Sequence, residues 1–247
     1  MPPPRKACGK RGLDYLNFST GVKTSKTNYI KGFTLAEVLI TLGIIGVVAA
    51  LTLPTIIANS RKEELRTALK KSYSVLQQGL QRMSLDTGQT VIPSDYPSGT
   101  FKPIFMKYFS VIKDCGYGHR DEAPCIPNRD GNQSTKYKNY TAKAIVDLNL
   151  FDDGQFVISD GMLILIENNS GPLYITVDVN GIQGKPNRWG YDLFTFQLMD
   201  NGKLLPMGIE ETDFEEDEYC SKTSANNKNG IGCTHKAMTD KTFWSSL

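Results

Sequence analysis

The longest apolar run in the chain extends from Phe33 to Ala58 and contains a single charged residue, Glu37. At 1.5 Å per residue, a helix of about 22 residues spans the roughly 30 Å hydrocarbon core of a bilayer. A helix in the core of a soluble domain is rarely apolar on all sides over such a length. The pattern therefore predicts a membrane-spanning helix over residues 33–58.

The segment that follows, residues 59–90, changes to an amphipathic helical pattern. Its apolar residues recur at steps of three and four: Leu65, Leu69, Tyr73, Leu76, Leu80 and Met83. This spacing places them on one face of a helix, and we expect that face to pack against the following domain. The two segments together predict one long N-terminal helix, which Pro54 is expected to bend and Gly43 and Gly46 to loosen.

Residues 91–247 are expected to form an external C-terminal domain. Five segments have the composition of strands, 142–148, 155–159, 162–168, 173–179 and 193–199, and glycine-containing turns lie between them. This pattern predicts an antiparallel meander. The apolar segment 101–112 predicts a small helix packed on the domain. A long helix against such a sheet gives an α+β fold.

Charge is distributed unevenly, although the formal net charge is only +2. Residues 1–32 contain seven Lys or Arg and one acid, a net of +6, which leaves 21 basic and 25 acidic residues, a net of −4, in residues 33–247. A basic flank before an apolar run follows the positive-inside rule, so we expect residues 1–32 in the cytoplasm and the domain across the membrane. The acidic domain argues against nucleic acid as a direct partner.

The sequence KGFTLAEVLITLGIIGVVAALTLP, residues 31–54, resembles the N-terminal motif of type IV pilins and type II secretion pseudopilins. The resemblance implies that a prepilin peptidase removes a basic leader, residues 1–32, by cutting between Gly32 and Phe33, and that Phe33 is then N-methylated. It makes Glu37 the fifth mature residue and places Gly46 and Pro54 at the family's helix-loosening positions. It also implies a pilin-like α+β fold.

Glu37 is unusual because a carboxylate within hydrocarbon costs about 2.5–3.5 kcal/mol on insertion scales. Cleavage before Phe33 creates an amine that is cationic near neutral pH. Within one chain the amine and Glu37 lie about 6 Å apart along the helix axis, so pairing them would fray the helix. In a filament of stepped parallel helices the amine can meet Glu37 of a neighbour, and we hypothesise that Glu37 registers subunits during assembly. The alternative is a carboxylate that merely lies near the headgroups.

The chain contains five cysteines, and one of them, Cys8, lies in the leader. The other four, Cys115, Cys125, Cys220 and Cys233, are expected to form disulfides in an oxidising compartment. Three pairings are open, and we favour the local loops Cys115–Cys125 and Cys220–Cys233, since each closes a segment with little regular structure. Zinc binding is disfavoured because the sequence has no C-x-x-C pair.

Asp178, Asn180 and Asp192 lie among glycines in residues 177–196. Oxygen ligands on a turn can bind calcium, and some major pseudopilins hold calcium in a loop of this region. Clusters of Asp, Asn and Gly more often form turns without a metal, so calcium is a secondary hypothesis and no other cofactor is expected.

The sequence contains no P-loop, no G-x-S-x-G and no H-E-x-x-H motif, and we expect the protein not to be an enzyme. The leading expectation is a structural subunit, pilin-like or a pseudopilin, of a type II secretion or type IV pilus filament. It would begin as a single-pass inner-membrane precursor with a periplasmic domain. Its expected partners are other pilin or pseudopilin subunits, the prepilin peptidase and methyltransferase, the inner-membrane assembly platform and the membrane.

Two alternatives remain open at this stage. The filament to which the subunit belongs can be part of a secretion system, a pilus or a DNA-uptake apparatus. In a different class of function, the chain would be a signal-anchored extracytoplasmic binding domain that does not polymerise.

Overall fold

The computed structural model describes residues 32–117, 124–126, 128–129, 132–133, 136–150, 152–169 and 171–247. The expected leader, apart from Gly32, lies outside these residues. The chain divides into two compact units, residues 1–49 and residues 50–247. The described part of the first unit is helical from Leu35 onward and almost wholly exposed.

The first helix, α1, extends from Leu35 to Thr87 and contains Pro54. Among the described residues it is the one helix long and apolar enough to cross a membrane, with a mean hydropathy of 2.3 in its 18-residue apolar window. The long N-terminal helix is therefore confirmed. The expected bend at Pro54, the loosening at Gly46 and the boundaries between residues 33–58, 59–90 and 91–247 stay predictions.

Within the second unit one face of α1 is buried. Its buried residues are Leu65, Leu69, Ser72, Leu76, Gly79, Leu80 and Met83, which include five of the six positions of the predicted stripe. The sixth, Tyr73, is half-buried and stacks on Phe196, with ring centroids 5.4 Å apart. Gly79 belongs to the same face because a Cβ there would collide with the ring of Phe109. The predicted packing face is confirmed.

The main sheet has six antiparallel strands in the order β1-β4-β5-β6-β7-β8. These strands are β1 Val111–Asp114, β4 Gln155–Ile158, β5 Leu163–Asn168, β6 Leu173–Asp178, β7 Leu193–Leu198 and β8 Leu204–Pro206. Strands β2 Asn128–Arg129 and β3 Asn132–Gln133 pair separately. A long helix followed by this sheet confirms the α+β fold and is consistent with a pilin-like one.

Residues 142–148 do not form the predicted strand. The Asn139 side chain accepts the backbone N–H of Lys143 at 2.9 Å, and Ala142 has a φ of +59°. This turn prevents an extended backbone, and Ile145 forms only an isolated bridge. The strand prediction for this segment was wrong because a side chain satisfies backbone groups that a strand would have paired.

The segment 101–112 is helical only in its first part. Helix α2 covers Phe101–Phe105 and a 3₁₀ turn covers Met106–Tyr108, after which the chain enters the edge strand β1. The opposite edge strand, β8, was also not predicted. It has three residues and ends at Pro206, a residue that suits an edge because it cannot donate to a further strand.

Both faces of the sheet are buried. One face packs on α1 through residues that include Phe156, Ile164, Ile175 and Phe194. The other is covered by irregular segments that include Tyr137 and Trp189, by the 3₁₀ turn at Ile231 and by the short helix α3 Glu216–Tyr219. The last short helix, α4 Thr234–Thr239, buries Ala237 in the same core as α1. Every residue of β4 to β7 is therefore buried, which explains their nearly continuous apolar sequences.

Candidate functional site

Helix α1 begins with reciprocal hydrogen bonds between Thr34 and Glu37. The backbone N–H of Thr34 donates to Oε2 of Glu37 at 2.8 Å, and the Thr34 hydroxyl donates to the same oxygen at 2.9 Å. The backbone N–H of Glu37 donates to Oγ1 of Thr34 at 3.2 Å. This arrangement is a capping box, which satisfies N–H groups that the first turn of a helix leaves unpaired.

The capping box gives Glu37 a partner within its own chain. Thr34 and Glu37 form T-x-x-E before an apolar run, a recognisable helix-start signature in the sequence, which adds a local role for Glu37 to the assembly hypothesis. Because Thr34 directly follows Phe33, these bonds hold the carboxylate close to the expected cleavage junction. Fraying the helix to bring Glu37 to its own N-terminal amine would break them.

The expected cleavage junction lies outside regular structure. Gly32 and Phe33 precede α1 and are exposed, with Phe33 88% exposed. The apolar side chains that follow, from Leu35 to Ile57, include many that are more than half exposed. A contiguous apolar surface of this kind needs lipid or other apolar helices around it.

Residues 27–53 match the family model described as the prokaryotic N-terminal methylation motif. The match includes the junction between Gly32 and Phe33, the capping box and the first part of α1. The chain carries a prepilin-type methylation motif. No curated protein and no solved structure is significantly similar to the chain.

The methylation motif is the prepilin signal of type IV pilins and pseudopilins, and it supports a precursor of that kind. It indicates a structural subunit instead of an enzyme, and it implies processing by a peptidase and assembly with other pilin subunits. Together with the apolar part of α1, it indicates a membrane-anchored precursor.

Two disulfides lie in the domain that follows the methylation motif. Cys115 is bonded to Cys125 and Cys220 to Cys233, with Cα atoms 5.5 and 4.9 Å apart. The predicted local pairing is therefore confirmed. Cys125 and Cys233 are buried, so each bond is anchored in the interior of the domain.

The three calcium candidates lie where β6 ends and β7 begins. Asp178 is the last residue of β6, and its Oδ2 accepts a hydrogen bond from the hydroxyl of Tyr137 at 2.6 Å. The backbone N–H of Asn180 donates to Oδ1 of Asp178 at 3.3 Å. Burial, with the added charge of Asp192, raises the pKa of Asp178 to about 7. The carboxyl group of Asp178 therefore changes from protonated to ionised near neutral pH.

Asp192 shapes the loop that leads into β7. Its two carboxylate oxygens accept the backbone N–H groups of Asn187 and Arg188, each at 2.7 Å. Burial raises the pKa of Asp192, and these hydrogen bonds oppose the rise because they favour the ionised form. The donors satisfy the oxygens of Asp192 without a metal, and calcium at Asp178, Asn180 and Asp192 stays a prediction.

Proposed function

We propose that the chain is a structural subunit, a pilin-like protein or pseudopilin, of a type II secretion or type IV pilus filament. The observation that carries the proposal is the methylation motif at residues 27–53, which includes most of the apolar part of α1 and is followed by the amphipathic part of the same helix. A prepilin peptidase cuts between Gly32 and Phe33, and the new amine of Phe33 is methylated. The apolar helices then pack in parallel and form the filament core.

Glu37 selects the position of the incoming subunit in this proposal. Both hydrogen bonds from Thr34 go to Oε2 of Glu37. The amine of a neighbouring Phe33 can therefore approach Oε1 without breaking the capping box. A carboxylate surrounded by apolar helices is costly when it has no cationic partner, so correctly stepped subunits are favoured over others.

The precursor lies in the inner membrane, with the folded domain on its periplasmic side. The two disulfides support this orientation because such bonds form and persist in oxidising compartments. Other pilin or pseudopilin subunits and the inner-membrane assembly platform are the partners that the filament requires.

Mass spectrometry of the protein from its native host tests the proposal. The expected N-terminus is N-methylated Phe33, and a host strain without prepilin peptidase should retain residues 1–32. The processed chain should also be present in sheared filaments or secretion pseudopili. An intact leader in the wild-type host would contradict the proposal and favour a signal-anchored binding domain that does not polymerise.

A further inference from the structure

Three carboxyl groups converge where the chain enters β4 and leaves β5. Asp152, Asp153 and Glu167 each offer an oxygen, and these oxygens all lie within 4.8 Å of one another. The backbone brings them together, because the N–H of Asp153 donates to the carbonyl of Ile166 at 3.0 Å and the N–H of Ile166 donates to the carbonyl of Gly154 at 2.8 Å. The cluster is thus built by main-chain pairing between two segments that flank a hairpin.

Glu167 is the buried member of this cluster. Its residue is only 7% exposed, and its Oε2 is buried with no hydrogen-bond partner among the described residues. A buried acceptor without a donor is costly, so this oxygen needs either a proton or a cation.

The cluster also has a rigid support. The N–H of Asn168 donates to Oδ2 of Asp153 at 2.8 Å, and the Asn168 side chain donates to the carbonyls of Tyr96 and Pro97, each at 3.1 Å. These bonds hold the loop before β4 against the end of β5. The carboxyl groups are therefore positioned by the fold and not by flexible surface chains.

We propose that Asp152, Asp153 and Glu167 bind a calcium ion. Calcium takes six to eight oxygen ligands at about 2.3–2.6 Å, so oxygens bound to one ion lie within about 5 Å of one another, as the three oxygens of this cluster do. Zinc prefers nitrogen and sulfur ligands, and none is in the cluster. A bound ion satisfies the buried oxygen of Glu167 and links the start of β4 to the end of β5.

This site is separate from the pair of acids at Asp178 and Asp192. Those carboxylates already accept hydrogen bonds from Tyr137 and from two backbone N–H groups. An ion there would have to displace donors, whereas the Oε2 of Glu167 has none to lose. The inference does not depend on the filament role, since it concerns the stability of the folded domain in any assembly.

The test uses the full-length protein, purified in detergent at neutral pH. Thermal unfolding is followed by tryptophan fluorescence with calcium chloride, magnesium chloride or EDTA, and calcium binding is measured by titration calorimetry. We expect calcium to raise the melting temperature by several degrees, with magnesium having a smaller effect, because ligand that binds only the folded state stabilises it.

Variants locate the site. Glu167→Gln and Asp152→Asn should each weaken calcium binding at least tenfold and remove most of the thermal shift. In EDTA, Glu167→Gln should melt no lower than wild type, because its amide carries no charge next to the two aspartates, and this shows that the variant folds. Asp178→Asn is the matched control and should keep the full calcium shift.

Three results would overturn the proposal. These are no calcium shift in the wild-type protein, a full shift in both Glu167→Gln and Asp152→Asn, or a shift that only Asp178→Asn abolishes, which would place the ion at the other acidic pair.

Discussion

The hydroxyl of Tyr137 donates a hydrogen bond to Oδ2 of Asp178 at 2.6 Å, and both residues are fully buried. The contact joins an irregular segment that covers the sheet to the last residue of β6. Since the pKa of Asp178 is raised to about 7 by burial, its protonation differs between the folded and unfolded chains in mildly acidic solution.

Tyr137→Phe should destabilise the domain more at about pH 8 than at about pH 5. The folded pKa of Asp178 lies above the unfolded value, so its contribution to stability is present at low pH and is lost as pH rises through about 7. The Tyr137 hydroxyl favours the ionised form, and its loss should cost about 1–3 kcal/mol at the higher pH. Urea unfolding at the two pH values measures this.

The control for this prediction is Asp178→Asn, which removes the titrating group. In that background Tyr137→Phe should cost nearly the same at both pH values. A larger cost at the lower pH in the wild-type background would contradict the assigned protonation.

A second prediction concerns the ion pair between Lys102 and Asp114. Lys102 lies in α2 with its side chain only 5% exposed, whereas the Asp114 side chain is 48% exposed. Asp114→Ala leaves a buried ammonium without its partner and should cost about 3 kcal/mol, the low end for buried pairs because Asp114 is half exposed. Lys102→Met keeps the volume and removes the charge, so it should cost much less. Denaturant unfolding measures the loss of stability in both variants. A larger loss for Lys102→Met than for Asp114→Ala would contradict the prediction.

The C-terminal disulfide provides a third prediction. Replacing Cys220 and Cys233 by serine should lower the free energy of unfolding by about 3 kcal/mol. The disulfide restricts the unfolded chain, and this is the entropy that closing a loop of such a size removes. The same change at Cys115 and Cys125 should cost less, because Cys233 is part of the main hydrophobic core and Cys125 is not. Equal losses in calorimetric melting would indicate that loop entropy alone matters.

The fourth prediction separates the two roles of the N-terminal acid. Glu37→Gln retains a side-chain acceptor for the capping box but has no charge, so it should reduce incorporation into filaments at least tenfold while the precursor still accumulates. Thr34→Ala removes the cap at a cost of about 1 kcal/mol and keeps the charge, so its effect on incorporation should be smaller. Immunoblots of sheared filaments and of membranes provide both measurements. Normal incorporation of Glu37→Gln would rule out the assembly role.

The elements with strong periodicity were predictable from the sequence. The six-residue stripe from Leu65 to Met83 identified the buried face of α1, and the apolar runs of β5 to β7 identified the central strands. The failed strand at residues 142–148 has a similar composition, but the side chain of Asn139 caps a turn there. Composition could not reveal that competing hydrogen bond.

The candidate site at the N-terminus was also predictable from the sequence. The junction at Gly32 and Phe33, the acid at Glu37 and the preceding Thr34 are all close in sequence, so their motif can be recognised without a structure. The capping box also has an explicit signature in the sequence, T-x-x-E at residues 34–37 directly before the apolar run.

Local sequence patterns predict the apolar helix, the methylation motif, the central strands and the favoured local disulfides, because each depends on residues near one another along the chain. Three other features follow from the folded domain: the contact of Tyr137 with Asp178, the cover of irregular segments on the second face of the sheet, and the approach of Asp152 and Asp153 to Glu167. Those contacts depend on strand register and on the path of long loops. Such long-range pairings are set by the packing of the whole domain and leave no periodic pattern in the sequence.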